Sequence, residues 1–331
     1  MLNIPLSVSF YKKHSYSSRI YNSYILEYVW IDGGGNLRSK YRTAYPNFHS
    51  ADACIAVEHW NYDDSAHANH DNALPVLVPV AHFLNPFFDP GRAFLILCDT
   101  YLGGGIPADD TNFRCDAVKA FEKGRGRQID PWFRIEQEYF ITQSHRTGGA
   151  QQDEESQHYC GVGTRAIILR KLAEKHYEYC LQAGLKISGM TADVAPNQWN
   201  FKIGPCSCID AGDELWVARY ILHKLSEEFG VYIRFKSASA SSTLNTTFST
   251  EESRNKNGLK CIYNYIDRLW KKHARDADAG VALNVAASTS IRVPKSVLKV
   301  GCGHLEDRRP ESDADPYRVI AAIFSDACFD N

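Results

Sequence analysis

Residues 23–32 (SYILEYVWID) and 36–43 (NLRSKYRT) are rich in β-branched and aromatic side chains, with Gly33, Gly34 and Gly35 between them. That arrangement predicts a hairpin closed by a glycine turn. A polar stretch over 58–73 follows, and two further apolar runs at 76–83 and 93–98 read as strands around a connection containing proline and glycine. The first hundred residues are therefore expected to be mostly β. After Gly103–Asp110, where the domain boundary is expected, the pattern changes. Thr111 is placed to cap a helix ending at Gly124, and a strand is expected over 132–141. Apolar side chains at Ile168, Leu172, His176, Tyr177, Cys180 and Leu181 follow the helical period, with Gly184 as the stop. Strands are expected at 185–194 and 199–203. Asp213 reads as the cap of a helix with Leu215, Ala218, Ile221 and Leu225 on its stripe and Gly230 at its end. A further helix runs through Leu259, Ile262, Ile266 and Leu269, and Asp315-Pro316 opens a terminal one. Strands interleaved with helices make this second region α/β or α+β.

Composition narrows the class. With 44% apolar and 23% charged residues the chain has the make-up of a folded globular protein. A net charge of −2 without long runs of one sign gives no footprint for nucleic acid or an anionic membrane. No segment reaches the roughly 18 apolar residues of a membrane-spanning helix. Ten cysteines are too sparse for a disulfide scaffold in a chain of this length, and none has zinc spacing, so thiols in a reducing compartment are expected. The segment before Glu27 carries Lys12, Lys13, Arg19 and several serines but no acid. It reads either as a short leader over 1–20 or as a mitochondrial transit signal. The expected location is cytoplasmic, with mitochondrial import as the alternative.

Candidate chemistry concentrates in Pro131-Trp132-Phe133-Arg134-Ile135-Glu136-Gln137-Glu138-Tyr139. On a strand, Glu136 and Glu138 share a face, where two carboxylates are either a solvated surface or a ligand pair for Mg²⁺ or Mn²⁺. Asp193 stands at the end of the strand expected over 185–194. Glu306-Asp307-Arg308-Arg309-Pro310 sets a carboxylate beside two arginines, as a surface ion-pair network or as a clamp for phosphate or carboxylate. Gly103-Gly104-Gly105 and Gly161-Val162-Gly163 match no phosphate-binding fingerprint and read as turns, while His176 and His223 read as helix packing or surface residues.

These segments, in order and over nearly the whole chain, resemble the eukaryotic glutamine synthetases. The resemblance rests on Tyr28–Gly33, Leu37–Lys40 with Arg42-Thr43, Trp60-Asn61-Tyr62-Asp63-Asp64-Ser65, Leu77-Val78-Pro79, Asn85-Pro86-Phe87 and Leu97-Cys98-Asp99. It continues through 131–139, His158–Gly163, Ala192–Trp199, Ile203–Cys206, Leu215–His223, Asn257–Lys260, Ser290-Ile291-Arg292 and Glu306–Pro310. It implies an α+β fold, with a β-grasp-like domain over 21–107 and a larger catalytic domain over 108–331. It also implies a homo-oligomeric ring of two stacked pentamers, in which each site lies between neighbouring subunits. The implied reaction joins ammonia to glutamate through γ-glutamyl phosphate, using ATP with Mg²⁺ or Mn²⁺. By the same resemblance Glu136, Glu138, Asp193 and Glu306 would ligate metal, and Trp132, Ser249, Arg254 and Arg292 would contact nucleotide. Arg308 would bind substrate; Arg292 and Asp63 would serve catalysis, Asp63 by reaching into the adjacent site.

The chain also departs from the family pattern. Asp193 and Asn200 stand where the family has metal-binding glutamates, and Asp64 where it has glycine. The loop Ser239–Asn245 keeps neither the family's glycine nor its metal-binding histidine. The chain is shortened near 275–279, where the family carries a flap glutamate, and Ala287 falls at a substrate arginine. The expectation is therefore a weakened or lost ligase, with a structural or regulatory subunit as the alternative.

Overall fold

Around Gly35, whose φ of 77° lies in the left-handed region that glycine adopts freely, the chain reverses between the strands Tyr24–Ile31 and Leu37–Ala44. The Asp32 carboxylate fixes this turn by accepting the backbone N–H groups of Gly34 at 2.9 Å and Asn36 at 2.8 Å. The structure, a computed structural model, describes residues 6–9, 22–46, 54–63, 75–102, 106–107, 113–124, 129–143, 159–162, 167–236, 241–278 and 290–329. The chain divides into two units, residues 1–115 with 179–185, and residues 116–178 with 186–331.

The first unit is built from β1 (Leu6–Ser9), β2 (Tyr24–Ile31), β3 (Leu37–Ala44), β4 (Cys54–Val57), β5 (Trp60–Asn61), β6 (Val76–Leu84), β7 (Ala93–Leu102) and β8 (Ile106–Pro107). β1 pairs with β4, and the main sheet has the order β3-β2-β7-β6-β5, with β8 on β7. β2 and β7 are parallel and form its centre. Tyr24, Leu26, Tyr28, Trp30, Leu77, Phe94, Ile96 and Cys98 close one buried cluster there. The hairpin and the two later strands expected from sequence are present in this sheet.

The second unit contains most of α1 (Phe113–Gly124), then β9 (Trp132–Gln143), most of α2 (Ile167–Gln182), β10 (Ile187–Ala192), β11 (Gln198–Ser207) and α3 (Asp210–Phe229). β12 (Val231–Arg234), β13 (Leu244–Ser249), α4 (Glu251–Arg254), α5 (Leu259–Asp278), β14 (Ile291–Arg292), α6 (Lys295–Val300), β15 (Leu305–Asp307) and α7 (Pro316–Cys328) follow. Its sheet has the order β10-β11-β9-β13-β15-β14, with β12 on the far end of β9, and every pairing is antiparallel. The molecule is therefore α+β. Helix α3 packs against β9 and β11 and is buried over most of its length. It starts a turn before the expected cap: Asp213 lies inside the helix and accepts the Tyr317 hydroxyl at 2.7 Å. Gly230, at φ 63°, ends it as expected. Asp315 caps α7 by accepting the Arg318 N–H at 3.1 Å, with Pro316 in the first turn.

The expected Thr111 cap, the Gly103–Gly105 turn, Asp64, Ser65, His158, Gly163, Ser239, Ala240, Ala279, Ala287 and all of the 1–20 leader except Leu6–Ser9 lie outside the described residues.

Candidate active site on the open face of the second sheet

Directly opposed residues of an antiparallel ladder project to the same side. Along β9, Phe133, Ile135, Gln137 and Tyr139 are buried, while Trp132, Arg134, Glu136 and Glu138 take the other, partly open side. On that side Glu138 opposes Asn200 and Glu136 opposes Lys202 of β11. Towards β13, Glu136 opposes Asn245, Arg134 opposes Thr247, and Trp132 opposes Ser249. Thr247 opposes Glu306 of β15, which in turn opposes Arg292 of β14. One face therefore gathers Trp132, Glu136, Glu138, Ser249, Glu306 and Arg292, all singled out by sequence. It adds Lys202, which sequence reasoning missed although it lies two residues beyond Asn200 on the same strand.

The Trp132 end is interlocked. The Arg254 guanidinium lies 4.3 Å from the centre of the Trp132 ring and donates to the Ser249 hydroxyl at 3.2 Å. It also donates to the Asp130 carbonyl at 3.0 Å and forms an ion pair with the Asp130 carboxylate. The Trp132 indole N–H donates to that same carboxylate at 3.1 Å. Arg254 is presented by α4, a single turn closed by a capping box between Thr250 and Ser253. Trp132 remains 40% exposed, which leaves ring surface for a flat ligand. Asp130 was not anticipated, and nothing in its local sequence marks it.

The carboxylate end is built differently. Glu136 pairs with the Lys202 ammonium at 3.3 Å, and Glu306 with the Arg292 Nε at 2.6 Å. Glu138 accepts the Thr243 N–H at 2.8 Å, with Gln198 Nε2 at 3.3 Å. Burial, with help from the nearby Asp193 and Glu136 carboxylates, pushes Glu138 above the usual carboxylate range, against the pull of the Thr243 N–H. Asp193, just past β10, turns its own carboxylate back on the Val194 N–H at 2.8 Å. Asn200 and Asn245 are 3% and 8% exposed, and the side-chain oxygen of each has no hydrogen-bond partner among the described residues. Arg308 is exposed just beyond β15, its N–H donating to the Ser290 carbonyl at 2.7 Å. Asp63 belongs to the first unit, exposed after β5.

A divalent ion wants several charged oxygens within roughly 2.0–2.6 Å of one point. Among the described residues no group of three or more acidic, histidine or cysteine side chains converges in that way. Glu306 stands two strands from β9, on the order of 9–10 Å at the usual strand spacing. Each of the three face carboxylates already has a partner, and two of those partners are cations. The donor set on this face does not fit a resident Mg²⁺ or Mn²⁺.

No family model matches the chain. It is 38% identical to glutamine synthetase of Saccharomyces cerevisiae, over 92% of this chain and 89% of that protein. To the glutamine synthetase of Emericella nidulans it is 36% identical, over 92% and 93%. Among solved structures a GmaS/ADP complex superposes with a TM-score of 0.64 over 92% of this chain and 77% of that one. Its 14% sequence identity makes this a likeness of fold. The chain belongs to the eukaryotic-type glutamine synthetase family, as a divergent member.

Proposed function

We propose that the chain binds ATP on the open face of the second sheet and carries the family reaction, ligation of ammonia to glutamate through γ-glutamyl phosphate, only weakly or not at all. In this reading Trp132, Ser249, Arg254 and Arg292 contact the nucleotide, Arg308 the glutamate, and Asp63 of a neighbouring subunit the ammonium. The domains are 21–107 and 108–331, and the subunits form a cytoplasmic ring of two pentamers. The observation that carries the reading is the contrast within one face. The aromatic and arginine cluster at Trp132 is intact, whereas Glu136 and Glu306 are tied to Lys202 and Arg292, and Asn200 brings no charge. Phosphoryl transfer depends on preorganised positive charge around the moving group, and losing one such contact costs on the order of 10²–10³ in rate. A nucleotide-binding structural or regulatory subunit is the second reading, favoured by an Arg254–Asp130–Trp132 cluster that holds together without any of the face carboxylates.

The test is γ-glutamyl hydroxamate formation by purified protein with ATP, glutamate, hydroxylamine and Mg²⁺ or Mn²⁺, together with calorimetric binding of ADP. ADP binding with turnover at least ~10²-fold below an intact homologue assayed in parallel is expected. Turnover equal to the homologue's would refute the weakened ligase, absence of ADP binding would refute the nucleotide site, and a monomer by light scattering would refute the ring.

A further inference from the structure

The Glu136, Glu138 and Glu306 carboxylates of the open face are neutralised or hydrogen-bonded from within the protein, and one of these contacts is a lysine set directly opposite its carboxylate. Lys202 reaches across from β11 to put its ammonium 3.3 Å from the Glu136 carboxylate, from the strand position directly opposite it. Two residues away on the same strand and the same side, Asn200 stands opposite Glu138, and on the other flank Asn245 stands opposite Glu136. Both amides are more than nine-tenths buried, and each keeps a side-chain oxygen without a partner among the described residues. Neutral amides thus stand at the two flanking positions, and the cation opposite Glu136 is the Lys202 ammonium.

We infer that Lys202 is a built-in counter-ion that takes the place of a divalent cation beside Glu136, so that this face is a metal-independent polar site. The inference deepens the nucleotide-binding reading and rests on it for the identity of the face, though not for its chemistry. A lysine ammonium is a compact point charge with three N–H donors. It satisfies a carboxylate electrostatically as a metal would, and it repels a metal at that position. Amide oxygens can ligate a hard cation, but they bring no charge to offset that repulsion. The unpartnered oxygens of Asn200 and Asn245 are left for ligands that donate hydrogens, such as water, an amine or a hydroxyl.

The test is Mn²⁺ titration of the full chain followed by electron paramagnetic resonance, without nucleotide and therefore without turnover. Circular dichroism confirms that each variant is folded. Wild type is expected to bind Mn²⁺ weakly. Lys202→Gln should tighten it, and Lys202→Gln combined with Asn200→Glu should tighten it by roughly 10–100-fold, the range over which ligand-shell changes act. Lys202→Arg, which keeps the charge, should behave as wild type. Lys202 is about a third exposed, so the single variants are expected to fold even if the double one does not. Wild-type binding as tight as that of the double variant, or folded Lys202→Gln protein with unchanged affinity, would overturn the inference. Either result leaves the hydroxamate and ADP measurements to judge the functional reading separately.

Discussion

On the helix-covered side of the second sheet, Gln137 is fully buried and its side-chain oxygen accepts two bonds from Arg219, at 2.8 and 2.6 Å. The same Nη2 of Arg219 also donates to the carbonyls of Ser312 and Ala314, both at 3.0 Å, and the guanidinium lies over the rings of Trp216 and Phe235. On the open side of the same strands, Asn200 and Asn245 are nearly as deeply buried, yet each keeps an oxygen with no partner among the described residues. A buried polar group left unpaired costs roughly 1–3 kcal/mol; the covered side has one at the Trp199 indole N–H, and the open side differs in that its two are amide oxygens beside charged side chains. The covered side meets its buried amide oxygen with a guanidinium, and the open side leaves two buried amide oxygens unmatched among the described residues.

The strongest way to break that contrast is Arg219→Met. Burial pulls Arg219 down to about 10, so it stays charged at neutral pH, held by carbonyl acceptors. Removing it strands the Gln137 oxygen and two carbonyls, and a loss of ~3–5 kcal/mol of unfolding free energy is expected by urea denaturation. Adding Gln137→Leu removes the stranded oxygen but also the Gln137 Nε2 donor to the Ser312 carbonyl at 2.8 Å, so it should recover only a small part of that loss. A cost below ~1 kcal/mol for Arg219→Met would mean that the covered side is not the structural one.

Next in size is a pH effect from the same side. His176 on α2 is buried against Phe201 and hydrogen-bonded to the Ala218 carbonyl at 3.0 Å, and burial lowers it from 6.5 to about 4. Its folded-state value lies below the unfolded one, so the unfolded chain takes up the proton first. The stability linked to this group is complete above pH 6.5 and is lost as pH falls towards 4, by about 3 kcal/mol at most. His176→Gln should flatten the stability profile in that window by about one proton. A wild-type profile already flat there would show that the ring is accessible to solvent.

These two residues also mark how far sequence carries. The glycine-turn hairpin, the Gly230 stop and the Asp315-Pro316 start are local signals, and each appears where the residues put it. The start of α3 is not local. Asp213 has the chemistry of a cap, but Tyr317, on α7, claims its carboxylate, and the helix begins at Asp210. Alternating helices and strands left the sheet type open, and the short strands β12, β13, β14 and β15 were not anticipated. Glu136 and Glu138 share a face by spacing alone, whereas the meeting of Glu136 with Lys202 and Asn245 depends on the register of β9 against two strands distant in sequence. The open face was therefore legible residue by residue and illegible as an arrangement.

The open side sharpens the comparison in the other direction, through binding. Trp132→Ala removes the ring over which Arg254 lies, on a side chain that is 40% exposed. ADP affinity by calorimetry should fall about tenfold, equivalent to ~1.4 kcal/mol, while unfolding free energy changes by less than ~1 kcal/mol. A larger effect on stability than on affinity would place Trp132 with the structural residues instead.

The smallest expected effect is the most diagnostic. Asn200→Leu replaces a buried amide by an apolar side chain of similar volume, and at most positions a substitution on a central strand of a sheet is destabilising. Here the residue removed is one whose oxygen has no partner among the described residues, so its desolvation penalty disappears with it. The variant should be as stable as wild type or up to ~1 kcal/mol more stable in urea. The equivalent change on the covered side, Gln137→Leu with Arg219 left in place, should be clearly destabilising because it abandons a buried cation. Similar losses from both leucine variants would mean that the Asn200 amide is satisfied in solution after all, and the difference between the two sides of the sheet would reduce to their depth of burial.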